Sequence, residues 1–278
     1  MFQTRLITSL ILIAAFLGAL FLLPELYWDL LMLAVVCIGA WEWAALARFT
    51  PAMRGGFMML IVISGVLLLP LPQLAATLIW QQQVQIWAIF VAAAFWLFLV
   101  PVWMLQHYEQ KNVFIMAASG WLVLMPTWLA LDGLRRVSPL LVLALMATVW
   151  IADSSAYIVG KRFGRRKLAP QISPGKTWEG VVGAFMVVTM YGTMLCLTFD
   201  KPWWLVVGLW GLTVLSIIGD LFESLLKRQA GIKDSGTLLP GHGGVLDRID
   251  GLTPTLPLAA FYAYFPLYIS AFGVSAIA

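Results

Sequence analysis

Residues 139–160 read PLLVLALMATVWIADSSAYIVG, an apolar run with a single charge, Asp153. An α-helix rises 1.5 Å per residue, so about 20 such residues cross the hydrocarbon core of a bilayer. A carboxylate inside such a segment is costly, which makes Asp153 a candidate site residue. The alternative is a hydrogen-bonded contact between helices. The same apolar pattern recurs along the chain. Hydropathy places spans at 6–23, 30–47, 57–79, 85–105, 113–131, 139–160, 180–199, 203–222 and 252–274. The third is interrupted by Pro70 and Pro72. The first has Arg5 before it and Pro24 behind, as a signal peptide would. It is long for that role and no A-x-A-like cleavage site follows, so it reads as a retained helix.

Composition agrees. Of 278 residues, 62% are hydrophobic and 11% charged, and the mean hydropathy is +0.93. Soluble domains carry about 25% charged residues. A soluble globular protein, a disordered chain and a disulfide scaffold are therefore excluded. The expected fold is an all-α polytopic membrane protein of about nine transmembrane helices. Cys37 and Cys196 lie in apolar runs without metal spacing and read as buried small hydrophobes. Fourteen tryptophans suit aromatic belts at two interfaces.

With the N-terminus inside, fourteen Lys and Arg fall on the cytoplasmic side. Three (Arg135, Arg136 and Lys201) fall outside. The bias sets N-in orientation, with Arg135–Arg136 dissenting. Most charged residues lie between Asp153 and Asp250. The chain divides into N-terminal helices 1–137 and a more highly charged region 138–278, with cytoplasmic loops 161–179 and 223–250.

The second loop holds Lys227, Arg228, Lys233, Gly241-His242-Gly243-Gly244, Asp247, Arg248 and Asp250. Asp247 and Asp250, three apart, share a helix face if a helix begins there. Paired hard oxygens suit Mg²⁺, which takes one or two carboxylates plus substrate phosphates. Glycines admit anions close to backbone N–H groups, and the cations suit phosphates. Singly, each piece has a plain explanation: Lys227 and Arg228 as topology signals, the glycines as turns, Asp247–Arg248 as a salt bridge, His242 as a hydrogen-bonded residue. Their clustering does not. Asp220 precedes the loop. The first loop carries Lys161, Arg162, Arg165, Arg166 and Lys167, which mark topology or draw anionic headgroups. Ser173-Pro-Gly-Lys176-Thr177 then follows. A P-loop is rejected, because Pro170 stands where its first glycine belongs and no strand is expected before it. Lys176 and Thr177 remain phosphate donors.

The motif Ser-x2-Lys-Arg-x4-Lys-Asp-x-Gly-x2-Leu-Pro-x-His-Gly-Gly-x2-Asp-Arg-x-Asp, from Ser224 to Asp250, resembles the signature of the phosphatidate cytidylyltransferases, or CDP-diacylglycerol synthases. Asp153-Ser-Ser-Ala-Tyr157-x2-Gly160 and Ser173-Pro-Gly-Lys176-Thr-x-Glu179-Gly also match stretches typical of that family. Trp41-Glu42-Trp43 agrees less specifically. The resemblance implies a usually dimeric integral membrane enzyme that makes CDP-diacylglycerol and pyrophosphate from CTP and phosphatidate, with Mg²⁺. It implies the bacterial inner membrane and a site facing the cytoplasm. No nucleic acid partner is expected.

On that footing Asp220 and Asp247 hold the divalent ion, with Asp250 as a further ligand or its neighbour. A second cation, divalent or K⁺, completes a clamp. Lys227, Arg228, Lys233 and Arg248 neutralise the triphosphate, and His242, Gly243 and Gly244 form a cradle. Ser173, Lys176 and Thr177 bind phosphatidate or the outer phosphates, and Asp153 orients the metal site. The rivals are a cytidylyltransferase for another lipid phosphate, a lipid-binding scaffold, and a secondary transporter coupled through Asp153. A transporter should show midplane charges and repeated halves, which the chain lacks. A CDP-alcohol phosphotransferase is set aside, since Asp132-Gly133-Leu-Arg135-Arg136 lacks that family's later aspartates.

Overall fold

The structure, a computed structural model, describes residues 2–69, 75–238 and 243–264. Helices run in the order α1 (Phe2–Leu22), α2 (Glu25–Leu46), α3 (Pro51–Leu68) and α4 (Ala75–Ala94). A π-helical turn, Phe95–Leu99, leads into α5 (Val100–Gln106), then α6 (Val113–Val137) and α7 (Pro139–Phe163). A hairpin of β1 (Lys167–Ala169) and β2 (Ser173–Thr177) precedes α8 (Trp178–Phe199) and α9 (Trp204–Ala230). A short α10 (Leu246–Ile249) and α11 (Leu252–Ala263) complete the described chain.

Among the described residues, seven helices are long and apolar enough to cross a membrane: 25–46, 51–68, 80–106, 113–137, 139–163, 178–199 and 204–230. The chain is therefore a multi-pass integral membrane protein. The remaining two expected spans correspond to α1, whose described apolar stretch is Ile11–Leu22, and to α11. Span 252–274 is described only as far as Tyr264.

Four expectations change. The third span was drawn over 57–79, but α3 ends at Leu68 and a new helix starts at Ala75. Pro70 and Pro72 lie outside the described residues, between the two helices. The fourth span is longer than expected. Pro101 has no amide to donate, and the ladder widens there, with the Val100 amide reaching the Phe95 carbonyl. The eighth span continues past residue 222 to Ala230, so Lys227 and Arg228 are helical rather than loop residues. Finally, the fold is not purely α. Lys167 pairs with Thr177 and Ala169 with Ser173, antiparallel. A strand does precede Gly175-Lys176-Thr177, but those residues are themselves strand, not the loop a P-loop requires.

The main core packs α2, α4, α6 and α11 around Trp28, Trp43, Leu124, Met125 and Leu256. Trp43 donates from its indole nitrogen to the Met116 carbonyl at 2.9 Å, and Thr127 Oγ1 donates to the Thr253 carbonyl at 3.2 Å. The Arg135–Arg136 pair is locally neutralised. Arg136 meets Asp132 at 3.2 Å, Asp29 at 3.3 Å and Glu25 at 3.6 Å. Arg135 donates to the Leu20 and Leu23 carbonyls at the end of α1. Its cations answer to neighbouring carboxylates and carbonyls, which is why it dissents from the loop-charge bias.

Candidate active site

Local sequence explains where the polar groups fall. Thr177 caps α8, its hydroxyl accepting the Gly180 amide at 3.2 Å. Two residues on, Glu179 accepts the Arg165 and Arg166 amides, at 3.0 Å for Arg165. The hairpin is thus pinned to the start of α8. Ile172, at its tip, packs against Leu221 and Leu225 of α9. Gly219 lets the chain at Asp250 lie against α9, since a Cβ there would run into the Asp250 carbonyl and Pro254. Asp250 is thereby brought beside Asp220.

The result is a cavity of about 710 Å³ between α7, the hairpin, α8, α9 and α10. Asp153, Ser173, Lys176, Thr177, Asp220, Asp247, Arg248 and Asp250 all line it. Residues up to 97 apart in sequence therefore share one space. Carboxylates come from α7 (Asp153), α9 (Asp220) and the α10 segment (Asp247 and Asp250). Cations come from the hairpin (Lys167 and Lys176), from the end of α7 (Lys161) and from Arg248. Ser216 donates to Asp153 at 3.4 Å. Lys176 Nζ lies 2.5 Å from an Asp220 oxygen, and Ser224 donates to the other at 3.2 Å.

Asp247 and Asp250 differ in kind. Asp247 is engaged on both oxygens. Lys227 Nζ is 2.6 Å from Oδ1. Oδ2 accepts the Ser235 amide at 2.9 Å, its hydroxyl at 3.0 Å and the Gly244 amide at 2.8 Å. Burial pushes the Asp247 carboxyl up, but Lys227 and the Gly244 and Ser235 amides outweigh it and hold it below the usual carboxylate range. For Asp250 burial pushes the same way, and the Gly251 amide does not outweigh it. With the Asp220 and Glu223 carboxylates adding to it, the carboxyl lies well above its ordinary value. It accepts the Gly251 amide at 2.8 Å and shares a side-chain hydrogen bond with Glu223.

Not every expected residue reaches the cavity. Lys227 stands behind Asp247, bonded also to Glu223 at 3.1 Å. Arg228 points to the Ile172 carbonyl at 3.4 Å and braces the hairpin. Lys233 is exposed and does not line the cavity. Gly243 has φ +81°, and a side chain there would strike Asp247; with Gly244 it shapes the turn that holds this carboxylate. His242 lies outside the described residues. No three His, Cys, Asp or Glu side chains among the described residues form a ready ligand set.

Three contributors escaped the sequence reading. Lys161 and Lys167, read from sequence as topology or headgroup cations and not as site residues, line the cavity. Glu42 of α2 is 4% exposed and accepts the Val245 amide at 3.0 Å, the Leu246 amide at 2.8 Å and the Ser235 hydroxyl at 3.1 Å. A carboxylate buried in an apolar span was the available signal, the same one that singled out Asp153.

Carboxylates and cations thus share one cavity between helices of a multi-pass membrane protein. Residues 3–265 match the profile of the cytidylyltransferase family, and the chain belongs to that family. It is 40% identical over 271 residues to the phosphatidate cytidylyltransferase of Pseudomonas aeruginosa, covering 94% of this chain and 96% of that protein. The Haemophilus influenzae phosphatidate cytidylyltransferase is 32% identical over 297 residues, covering 96% and 100%. The Bacillus subtilis phosphatidate cytidylyltransferase is 44% identical over 117 residues, about two fifths of each chain.

Proposed function

We propose that this chain is a phosphatidate cytidylyltransferase, joining CTP and phosphatidate to give CDP-diacylglycerol and pyrophosphate in phospholipid synthesis. The observation that carries the reading is the single cavity where four aspartates face Lys161, Lys167, Lys176 and Arg248. A phosphate oxygen of phosphatidate attacks the α-phosphorus of CTP, and the bond to pyrophosphate breaks. A phosphomonoester is largely dianionic at pH 7, since its second pKa is about 6, so no general base is required. The barrier lies in bringing two polyanions together, and catalysis is positioning and charge neutralisation. The hairpin cations Lys167 and Lys176, with Ser173, hold phosphate oxygens. Arg248 faces the triphosphate. Thr177 caps α8 and retains a hydroxyl proton to donate.

The donor set fits Mg²⁺, a hard cation that binds through one or two carboxylates and substrate phosphates. Asp250 is a deeply buried carboxyl crowded by Asp220 and Glu223, a setting that a divalent ion would suit. Asp220 and Asp250 would hold the ion, with Asp153 beside them. Asp247, expected as a ligand, lines the same cavity and would reach the ion through Oδ1, which meets Lys227, while Oδ2 holds the Ser235 and Gly244 amides. Bound there, the ion supplies charge stabilisation to the reacting phosphates, and a second cation, divalent or K⁺, fits the remaining carboxylates. We place the enzyme as a homodimer in the bacterial inner membrane, with this cavity facing the cytoplasm.

The test is purified protein with labelled CTP, phosphatidate and Mg²⁺, scored for lipid-linked CMP. Product from wild type and at least a hundredfold less from Asp250→Asn is expected. CTP binding without product would move the reading to another lipid phosphate. Absence of CTP binding would remove it.

A further inference from the structure

We infer that Glu42, on α2 in the N-terminal half, is a positioning residue for the reaction, acting through Ser235 and the start of α10 on Asp247 and Asp250. The inference rests on the proposed cytidylyltransferase chemistry, though its geometry is independent of it. Glu42 never reaches the cavity. Its two oxygens instead accept three donors from the segment that carries the site: the Val245 and Leu246 amides, and the Ser235 hydroxyl. Both flanks of the segment are fitted to it. A Cβ on Gly236 would strike Oε1, and one on Gly244 would strike both oxygens.

The bonds continue inward. The Ser235 hydroxyl lies within hydrogen-bond reach of both Glu42 and Asp247, at 3.1 and 3.0 Å. Asp247 then holds Lys227, which holds Glu223. A chain of polar contacts thus runs from α2 through Ser235 and Asp247 to α9. Residues 232–238 have no helix or strand of their own, and α10 is one turn long. A segment with so little internal hydrogen bonding takes its position from outside, and Glu42 is the buried acceptor in place to give it. Carboxylate acceptors of amide bonds are about twice as strong as neutral ones. An amide side chain of the same shape presents a donor where two backbone donors already point.

The experiment compares wild type with Glu42→Gln, Ser235→Ala and the double variant in the CMP-transfer assay. Thermal unfolding and amide hydrogen exchange of residues 243–249 are measured alongside. We expect Glu42→Gln to lower kcat at least tenfold and to raise the Mg²⁺ concentration for half-maximal rate. The KM for phosphatidate should stay within twofold, because the hairpin is pinned by Thr177 and Glu179 instead. Exchange at 243–249 should speed up at least tenfold. The effects of Glu42→Gln and Ser235→Ala should be non-additive, as expected of residues in one network. Glu42→Asp, which keeps the charge, should recover part of kcat. A Glu42→Gln protein with wild-type kcat, or one that loses Tm and active fraction while each remaining site turns over normally, overturns the inference. If Glu42→Gln does not fold, Ser235→Ala decides: an unchanged kcat and exchange rate overturn it. Failure of wild type to make product would instead strike the proposed reaction, and the exchange measurement would still judge the Glu42 contact.

Discussion

Asp247 and Asp250 stand three residues apart and should respond oppositely to the same substitution. Asp247 is one side of a buried ion pair with Lys227, and removing one partner of such a pair typically costs about 3–5 kcal/mol. Asp247→Asn should therefore lower Tm by several degrees along with activity. Asp250→Asn removes a crowded carboxyl and should leave the Mg²⁺-free protein at least as stable while abolishing turnover. Thermal unfolding of both variants checks this. The pH dependence follows in sign. A carboxyl held above its unfolded value favours the folded state only while protonated, and that contribution is lost as pH rises. A divalent ion must displace that proton. The Tm gain from saturating Mg²⁺ should accordingly be larger at pH 8 than at pH 5.5, and a gain equal at both would exclude Asp250 as a ligand. Asp153, Asp220 and Asp250 were legible in the sequence because charge is rare in this chain. The different surroundings of Asp247 and Asp250 were not, because they depend on the Ser235 and Gly244 amides that meet Asp247.

At the scale of elements, the hairpin and the end of α7 carry the cationic side of the cavity. Near a membrane surface a cation contributes about 1 kcal/mol to anionic lipid attraction, about fivefold in affinity. Lys161→Ala and Lys167→Ala should each raise the KM for phosphatidate in vesicles about fivefold, with the KM for CTP unchanged. A shift in the CTP KM instead would reassign the rim to the nucleotide. Thr177→Ala should cost about 1 kcal/mol through the lost cap, whereas Thr177→Ser should retain it. The end of α9 was readable: Lys227 and Arg228 followed by Gly231, which takes φ +76°, form a helix stop. Hydropathy closed the span too early because Asp220 and Glu223 interrupt it, although both face protein or the cavity rather than lipid. The hairpin was not readable, since Pro170 and Pro174 argue against strands and only two short ones form. Glu42 was hidden by distance in sequence, 193 residues from Ser235.

For the whole molecule, the spans were legible because a bilayer demands one property of every helix facing it. Their packing was not, because helices that are apolar all round leave no stripe to say which neighbour each meets. Orientation has its own test. In a chain with Cys37 and Cys196 replaced by alanine, Arg165→Cys should label only from the cytoplasmic side, and Asp200→Cys only from the opposite side. The reverse pattern would invert the molecule and move the cavity away from CTP. The Arg135–Arg136 cluster bears on how such a chain is made. Newly synthesised, the α6–α7 turn carries two cations that bias it toward staying on the side of synthesis. The groups that neutralise them, Glu25, Asp29 and the end of α1, emerge from the ribosome earlier. The first two helices thus act as an intramolecular receptor for a later hairpin, and Asp29→Ala should yield a fraction of chains inserted with that turn on the wrong side.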